Sequence, residues 1–195
     1  MKSEHPELAK NGWLVIDKPS GFTSFQIVKI IRKLYSIKKA GHAGTLDPLA
    51  TGILPVALGE ATKTIPYAMD TDKTYHFTVC WGDDRDTNDS DGRVIATSKK
   101  RPSKDSIMNI IKNFKGKFEQ VPPNYSAIKV DGQRAYKLAR EEKPVQLKAR
   151  TVEVKSIKLL KILDPDHAEF CVTTRKGFYV RSLARDLGLK LGTFG

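Results

Sequence analysis

Lys73-Thr-Tyr-His-Phe-Thr-Val-Cys-Trp81 decides the architecture. Tyr75, Phe77, Val79 and Trp81 alternate with Thr74, His76, Thr78 and Cys80. A period of two marks a strand with one buried face. Runs at 151–162 and 168–174 read the same way, and shorter apolar runs at 13–16, 53–58 and 93–96 add strands. Helical periods fall between them. Thr23 or Ser24 offers an N-cap for a helix to about residue 35, with Ile27, Ile31 and Leu34 inward. Ser103 can cap a helix carrying Ile107, Ile110, Ile111 and Phe114, with Gly116 beyond its end. Gly177 leads into a last helix, from Tyr179 to about Leu191, with Val180, Leu183, Ala184 and Leu187 inward. Shorter helices fit 61–69 and 136–140, Pro122-Pro123 break the chain, and Asp131-Gly132 makes a hairpin turn. Strands outnumber helices and the helices are dispersed. The expected class is therefore α+β, a mixed, mainly antiparallel sheet.

A chain of 195 residues fits one substantial domain, or one domain and a small extra piece. At that length folding buries roughly 70% of the unfolded surface, so no staples are needed. Cys80 and Cys171 are too few for a disulfide framework, and no CxxC pair suggests zinc. No apolar run approaches the roughly 18 residues that span a bilayer. The first dozen residues lack both a secretory core and a transit pattern. These readings predict a cytoplasmic protein with no membrane partner, a tail over 1–10 and one domain over 11–195.

Net charge is +12, unevenly spread. Residues 70–92 hold seven acids against two bases, so that segment is −5 and the remainder +17. Such asymmetry suits a surface that grips phosphates while one acidic loop stays clear of them. A solvated basic protein with no polyanion explains the charge alone equally well. Residues 86–97 superficially suggest a calcium loop, but the sixth position is Asp91 rather than Gly and the twelfth is Thr97 rather than Glu. No metal is expected there.

Chemistry concentrates in Gly41-His-Ala-Gly-Thr-Leu-Asp-Pro-Leu-Ala-Thr-Gly52. Pro48 biases Asp47 away from the α region, and the flanking glycines allow close backbone approach. The plainer alternative is a helix start with Asp47 as N-cap and Pro48 at the first position. Gly52 would stop such a helix within a turn.

Gly44-Thr-Leu-Asp-Pro-Leu-Ala-Thr-Gly52 resembles the catalytic motif of the TruB family of tRNA pseudouridine synthases. Four more segments resemble that family in the same order: Lys18-Pro-Ser-Gly-Phe-Thr-Ser24, Lys73-Thr-Tyr75, Pro123-Asn-Tyr-Ser-Ala-Ile-Lys129, and Gly177-Phe-Tyr-Val-Arg-Ser-Leu-Ala-Arg-Asp-Leu-Gly188. The resemblance covers the chain from about residue 11 onward. It implies the pseudouridine synthase catalytic-domain fold and isomerisation of the T-loop uridine of tRNA, position 55 in tRNA numbering. That reaction moves uracil from nitrogen to carbon attachment with no net redox change, so it implies no cofactor and no metal. It needs a carboxylate nucleophile, at the sugar or at the ring, and the resemblance makes Asp47 that group. Arg181 matches the cationic partner that keeps such a carboxylate ionised. Tyr75 matches a tyrosine that stacks on the flipped uracil, and Tyr179 a substrate-lining residue. His42 matches a residue that enters the RNA loop where the base has left. Lys18 and Lys129 are assigned to phosphate contact or support of the site. The base must leave its stack, and basic contacts from Lys29, Arg32, Lys33, Lys38 and Lys39 can offset that cost of a few kcal/mol.

Family members continue beyond the equivalent of Gly195 through a further strand and a small PUA-type RNA-binding domain. The expectation is a C-terminally incomplete catalytic domain, monomeric, with the tRNA T-arm as partner and no obligatory protein partner. The competing expectation is a non-catalytic RNA-binding or RNA-folding module. A guide-RNA-dependent relative, reliant on partner proteins, is a third.

Overall fold

A computed structural model describes residues 10–195. The expected tail over 1–10 therefore lies, but for Lys10, outside the described residues. The chain divides into two compact units at Thr71/Asp72.

In the first unit β1 (Gly12–Lys18) and β2 (Ala40–His42) flank β3 (Gly52–Leu58), all antiparallel. α1 (Ser24–Leu34) packs Ile27, Val28 and Ile31 against Leu54, Val56 and Leu58 of β3. Thr23, not Ser24, is the N-cap. Its hydroxyl accepts the Gln26 N–H, and the Gln26 side chain accepts from the Thr23 N–H, a reciprocal capping box. Leu34, expected inward, is exposed. Val28 takes the inward place, because the buried arc of α1 centres on Ser24, Ile27, Val28 and Ile31. The helix expected over 61–69 is a 3-10 turn (Gly59–Thr64) followed by α2 (Ile65–Met69). Pro66 sits in the first turn of α2, where its missing N–H costs nothing.

The second unit is built on a four-stranded antiparallel sheet in the order β4 (Lys73–Cys80), β11 (His167–Thr174), β10 (Arg150–Asp164), β7 (Gly116–Gln120). The alternation read at 73–81 holds, with Tyr75, Phe77 and Val79 facing the core. α3 (Lys104–Ile110), capped by Ser103, and α5 (Val180–Lys190) supply Ile107, Leu183 and Leu187 to a core centred on Phe170, Trp81 and Val172. Trp81 meets Phe170 edge-on and Phe77 stacks on it. The acidic stretch is more ordered than a plain turn, with β5 (Asp83–Arg85) pairing β6 (Val94–Thr97). β8 (Lys129–Val130) and β9 (Gln133–Arg134) close over Asp131 and Gly132, both at positive φ. That two-residue turn is of the hairpin kind Asp-Gly favours. α4 (Ala135–Arg140) follows. The α+β class and antiparallel sheet are as expected.

Candidate active site

Asp47 lies in the loop between β2 and β3, half-buried, and no helix starts there. The Ala50 N–H reaches the Asp47 carbonyl at 3.1 Å, a single turn before Gly52 opens β3. Both neighbours of Asp47 are tied down. On one side, the buried Ser24 hydroxyl accepts the Leu46 N–H at 3.0 Å and donates to the Leu46 carbonyl at 3.1 Å. On the other, the Pro48 carbonyl accepts the Gly21 N–H at 2.8 Å and the Lys18 ammonium at 3.2 Å. Gly21 adopts φ +86°, a backbone conformation that a side chain disfavours. The segment 18–24 is thus a cradle for the loop 46–48.

Lys18 is wholly buried, and its ammonium also donates to the carbonyls of Pro19 at 2.9 Å and Phe22 at 2.7 Å. Burial pulls its pKa down, and the negative charge of Asp47 opposes that pull. The expectation for Lys18 was phosphate contact or support of the site. Its three donors are spent on backbone carbonyls of its own and the Asp47 loop. His42 ends β2, opposite Val56, and burial holds it below the ordinary histidine pKa against a backbone hydrogen bond with Gly44.

The second unit carries Tyr75, Tyr179, Arg181 and Lys129. Tyr75 stands on β4 opposite Val172 and packs against the core that contains Leu183 and Leu187 of α5. Tyr179 is the N-cap residue of α5 and Arg181 lies in its first turn. The Arg181 side chain is only 11% exposed, so it is not an ordinary surface helix arginine. Its Nη1 donates to the Thr87 carbonyl and its Nη2 to the Tyr125 carbonyl, each at 3.1 Å, while Nε stands 3.6 Å from an Asp89 carboxylate oxygen. The acidic loop, expected to stay clear of phosphates, faces Arg181 with Asp89, because a buried guanidinium needs a counter-charge. Lys129 stands apart on the β8–β9 hairpin, exposed and able to face phosphate.

Sequence reading missed Ser24, Asp89 and Gln120, whose carboxamide bonds the Tyr179 backbone. Ser24 could have been found as the last residue of the 18–24 motif. Asp89 was one of seven acids with nothing to single it out, and Gln120 carried no pattern. Among the described residues no group of three His, Cys, Asp or Glu side chains is placed to hold a metal ion.

Residues 32–180 match the model of the TruB family pseudouridylate synthase N-terminal domain. The chain belongs to the TruB family. It is similar to tRNA pseudouridine synthase B of Bradyrhizobium diazoefficiens, 55% identical over 95% of this chain and 54% of that one. The same enzyme of Brucella melitensis is 53% identical over 95% of this chain and 57% of the other. This TruB-family chain thus spans about half the length of the curated relatives it matches. Among solved structures, a Cbf5–Nop10–Gar1 complex aligns with a TM-score of 0.71 and 32% identity over 95% of this chain and 46% of the matched one. An H/ACA RNP bound to a substrate RNA containing 2'-deoxyuridine aligns at 0.68 and 28% identity, over 96% and 45%.

Proposed function

We propose that residues 11–195 of this TruB-family chain form a catalytic domain that converts the T-loop uridine of tRNA to pseudouridine. The carrying observation is the cradle around Asp47, with Leu46 held by Ser24 and Pro48 by Lys18 and Gly21. It fixes a carboxylate on a loop that both neighbours anchor, as a nucleophile requires. In the reaction the bond from uracil N1 to the ribose C1′ breaks and one from C5 to C1′ forms. C5 loses its proton and N1 gains one, so atoms and electrons balance without an oxidant. Asp47 is the nucleophile that carries the fragment between the two bonds. Arg181 is the cationic partner in the reaction, Tyr75 stacks on the flipped base, and Tyr179 lines the pocket for it. His42, whose pKa burial lowers, enters the space the base leaves. Lys129, with the exposed Lys29, Arg32, Lys33, Lys38 and Lys39, binds the RNA backbone. Among the described residues no helix is long and apolar enough to cross a membrane. We place the protein in the cytoplasm as a monomer that needs no other protein.

The deciding experiment is a single-turnover assay of this chain on a T-arm RNA hairpin without added protein. Wild type forms pseudouridine, and Asp47→Asn forms none while still shifting the RNA in a gel. Full activity in Asp47→Asn removes Asp47 from its role. Binding without product in the wild type favours the non-catalytic RNA-binding module.

A further inference from the structure

β7 ends at Gln120, and the chain then passes the start of α5 through Val121, Pro122 and Pro123 to Tyr125. Four residues from the cap to the middle of α5 are bonded to this short strap. Gln120, 1% exposed, spends both ends of its carboxamide on one residue: Nε2 donates to the Tyr179 carbonyl at 3.2 Å, and Oε1 accepts the Tyr179 N–H at 2.9 Å. The Val121 carbonyl accepts the Ser182 hydroxyl at 2.8 Å and Arg185 Nη2 at 2.9 Å. The Tyr125 carbonyl accepts Arg181 Nη2 at 3.1 Å.

Tyr179 has extended backbone, φ −122° and ψ 117°, and no side chain caps the helix it begins. In extended chain the N–H and C=O of one residue point to the same side, as in the doubly bonded pairs of an antiparallel ladder. A primary amide presents a matching donor and acceptor, so Gln120 bonds Tyr179 as a neighbouring strand would. Only one amide orientation works, since exchanging Oε1 and Nε2 would face donor with donor. The Tyr179 carbonyl also accepts the Leu183 N–H at 3.1 Å, the first bond of the helix, and the Gln120 carboxamide adds a tie from the end of β7 where no side chain caps the helix.

We propose that Gln120 is a positioning residue, a carboxamide latch that sets where α5 begins and so aims Tyr179 and Arg181 at the uridine. The proposal rests on the isomerase function proposed above. Arg181 stands two residues past the latch, within the reach of any displacement there, and misplacement of a reacting group by about 1 Å can cost on the order of 10²-fold in rate.

The test is the single-turnover rate on the T-arm hairpin for wild type, Gln120→Met and Gln120→Glu. Rates are taken between about pH 5.5 and 8, where circular dichroism shows each protein folded. Gln120→Met, which can neither donate nor accept at that site, is expected to lose about 10²-fold in rate at every pH while keeping its affinity for RNA. Gln120→Glu separates aim from mere filling of space. Its neutral carboxyl places O–H and C=O where the amide had N–H and C=O, whereas the ionised form only accepts and faces the Tyr179 carbonyl with charge. Its rate, relative to wild type at each pH, should therefore recover as the pH falls. A wild-type rate in Gln120→Met overturns the latch, and so does Gln120→Glu that stays equally slow at every pH. If Gln120→Met does not fold, the Gln120→Glu pH series decides. If wild type itself makes no product, the isomerase function fails instead, and hydrogen exchange at the Tyr179 amide in Gln120→Met decides. Faster exchange then upholds the latch and unchanged protection overturns it.

Discussion

A lysine ammonium with no exposed surface is tolerable when its donors are met, and Lys18 meets the carbonyls of Pro19, Phe22 and Pro48. Lys18→Met fills similar volume but removes the ammonium from the carbonyls of Pro19 and Phe22 and leaves Pro48, the residue after Asp47, held by the Gly21 N–H alone. The expected cost is about 2–4 kcal/mol, together with slower turnover. Denaturant melts and single-turnover rates measure both, and unchanged values would clear Lys18 of any such duty. Asp89 is the counterpart at Arg181. Asp89→Asn keeps the shape and removes the charge, so the guanidinium loses the carboxylate that faces its Nε. A rate loss on the order of 10²-fold with the fold intact is expected, and an unaltered rate would show that the pair is dispensable. His42 adds a pH dependence of fixed sign. Burial lowers its folded pKa below 6.5, so on acidification the unfolded chain takes up a proton that the folded chain refuses. This group therefore costs nothing above about pH 7 and destabilises increasingly as the pH falls through 6.5 and below. Melting temperatures of wild type and His42→Gln should diverge in acid, the variant losing less, and parallel curves would refute the effect.

At the scale of elements, type was legible and facing was not always so. The period of two along β4 and the caps at Thr23 and Ser103 are local properties, readable without a fold. Leu34 was misplaced because a 3.6 period leaves the edge of the buried arc ambiguous, and only packing on β3 fixed its centre on Ile27, Val28 and Ile31. Ser24 was a candidate cap by composition, yet its hydroxyl serves Leu46, 22 residues away. In the last turn of α5, Gly188 is a buried glycine whose added Cβ would overlap the backbone of Phe194 and Gly195. An ordinary helix glycine gains about 1 kcal/mol on replacement by alanine. Gly188→Ala should instead lose about 1–3 kcal/mol by overpacking. A thermal melt checks the sign, and a raised melting temperature would contradict the packing.

Across the whole molecule, charge is segregated. Residues 18–46 contain six bases and no acid, while 70–92 carry −5. The basic residues on and after α1 stand exposed, whereas the acidic loop spends charge internally, Asp86 on Arg93, Asp83 on Arg85 and Asp89 on Arg181. RNA affinity should therefore fall steeply with salt. Replacing Lys29, Arg32 and Lys33 by glutamine should flatten the plot of log affinity against log salt by about 0.7–0.9 for each phosphate no longer neutralised. A slope left unchanged takes α1 off the RNA. The sequence alone determined the antiparallel α+β class, the place of most strands and helices, and Asp47 within a recognisable motif, because alternation, caps and short motifs are written in neighbouring residues. Tertiary structure decided the rest: that Lys18 faces three carbonyls, Pro48's among them, that Asp89 counters Arg181, and that Gln120 holds Tyr179. Those partners lie 30, 92 and 59 positions apart, and a hydrogen bond good to a few tenths of an ångström follows from strand register and helix placement.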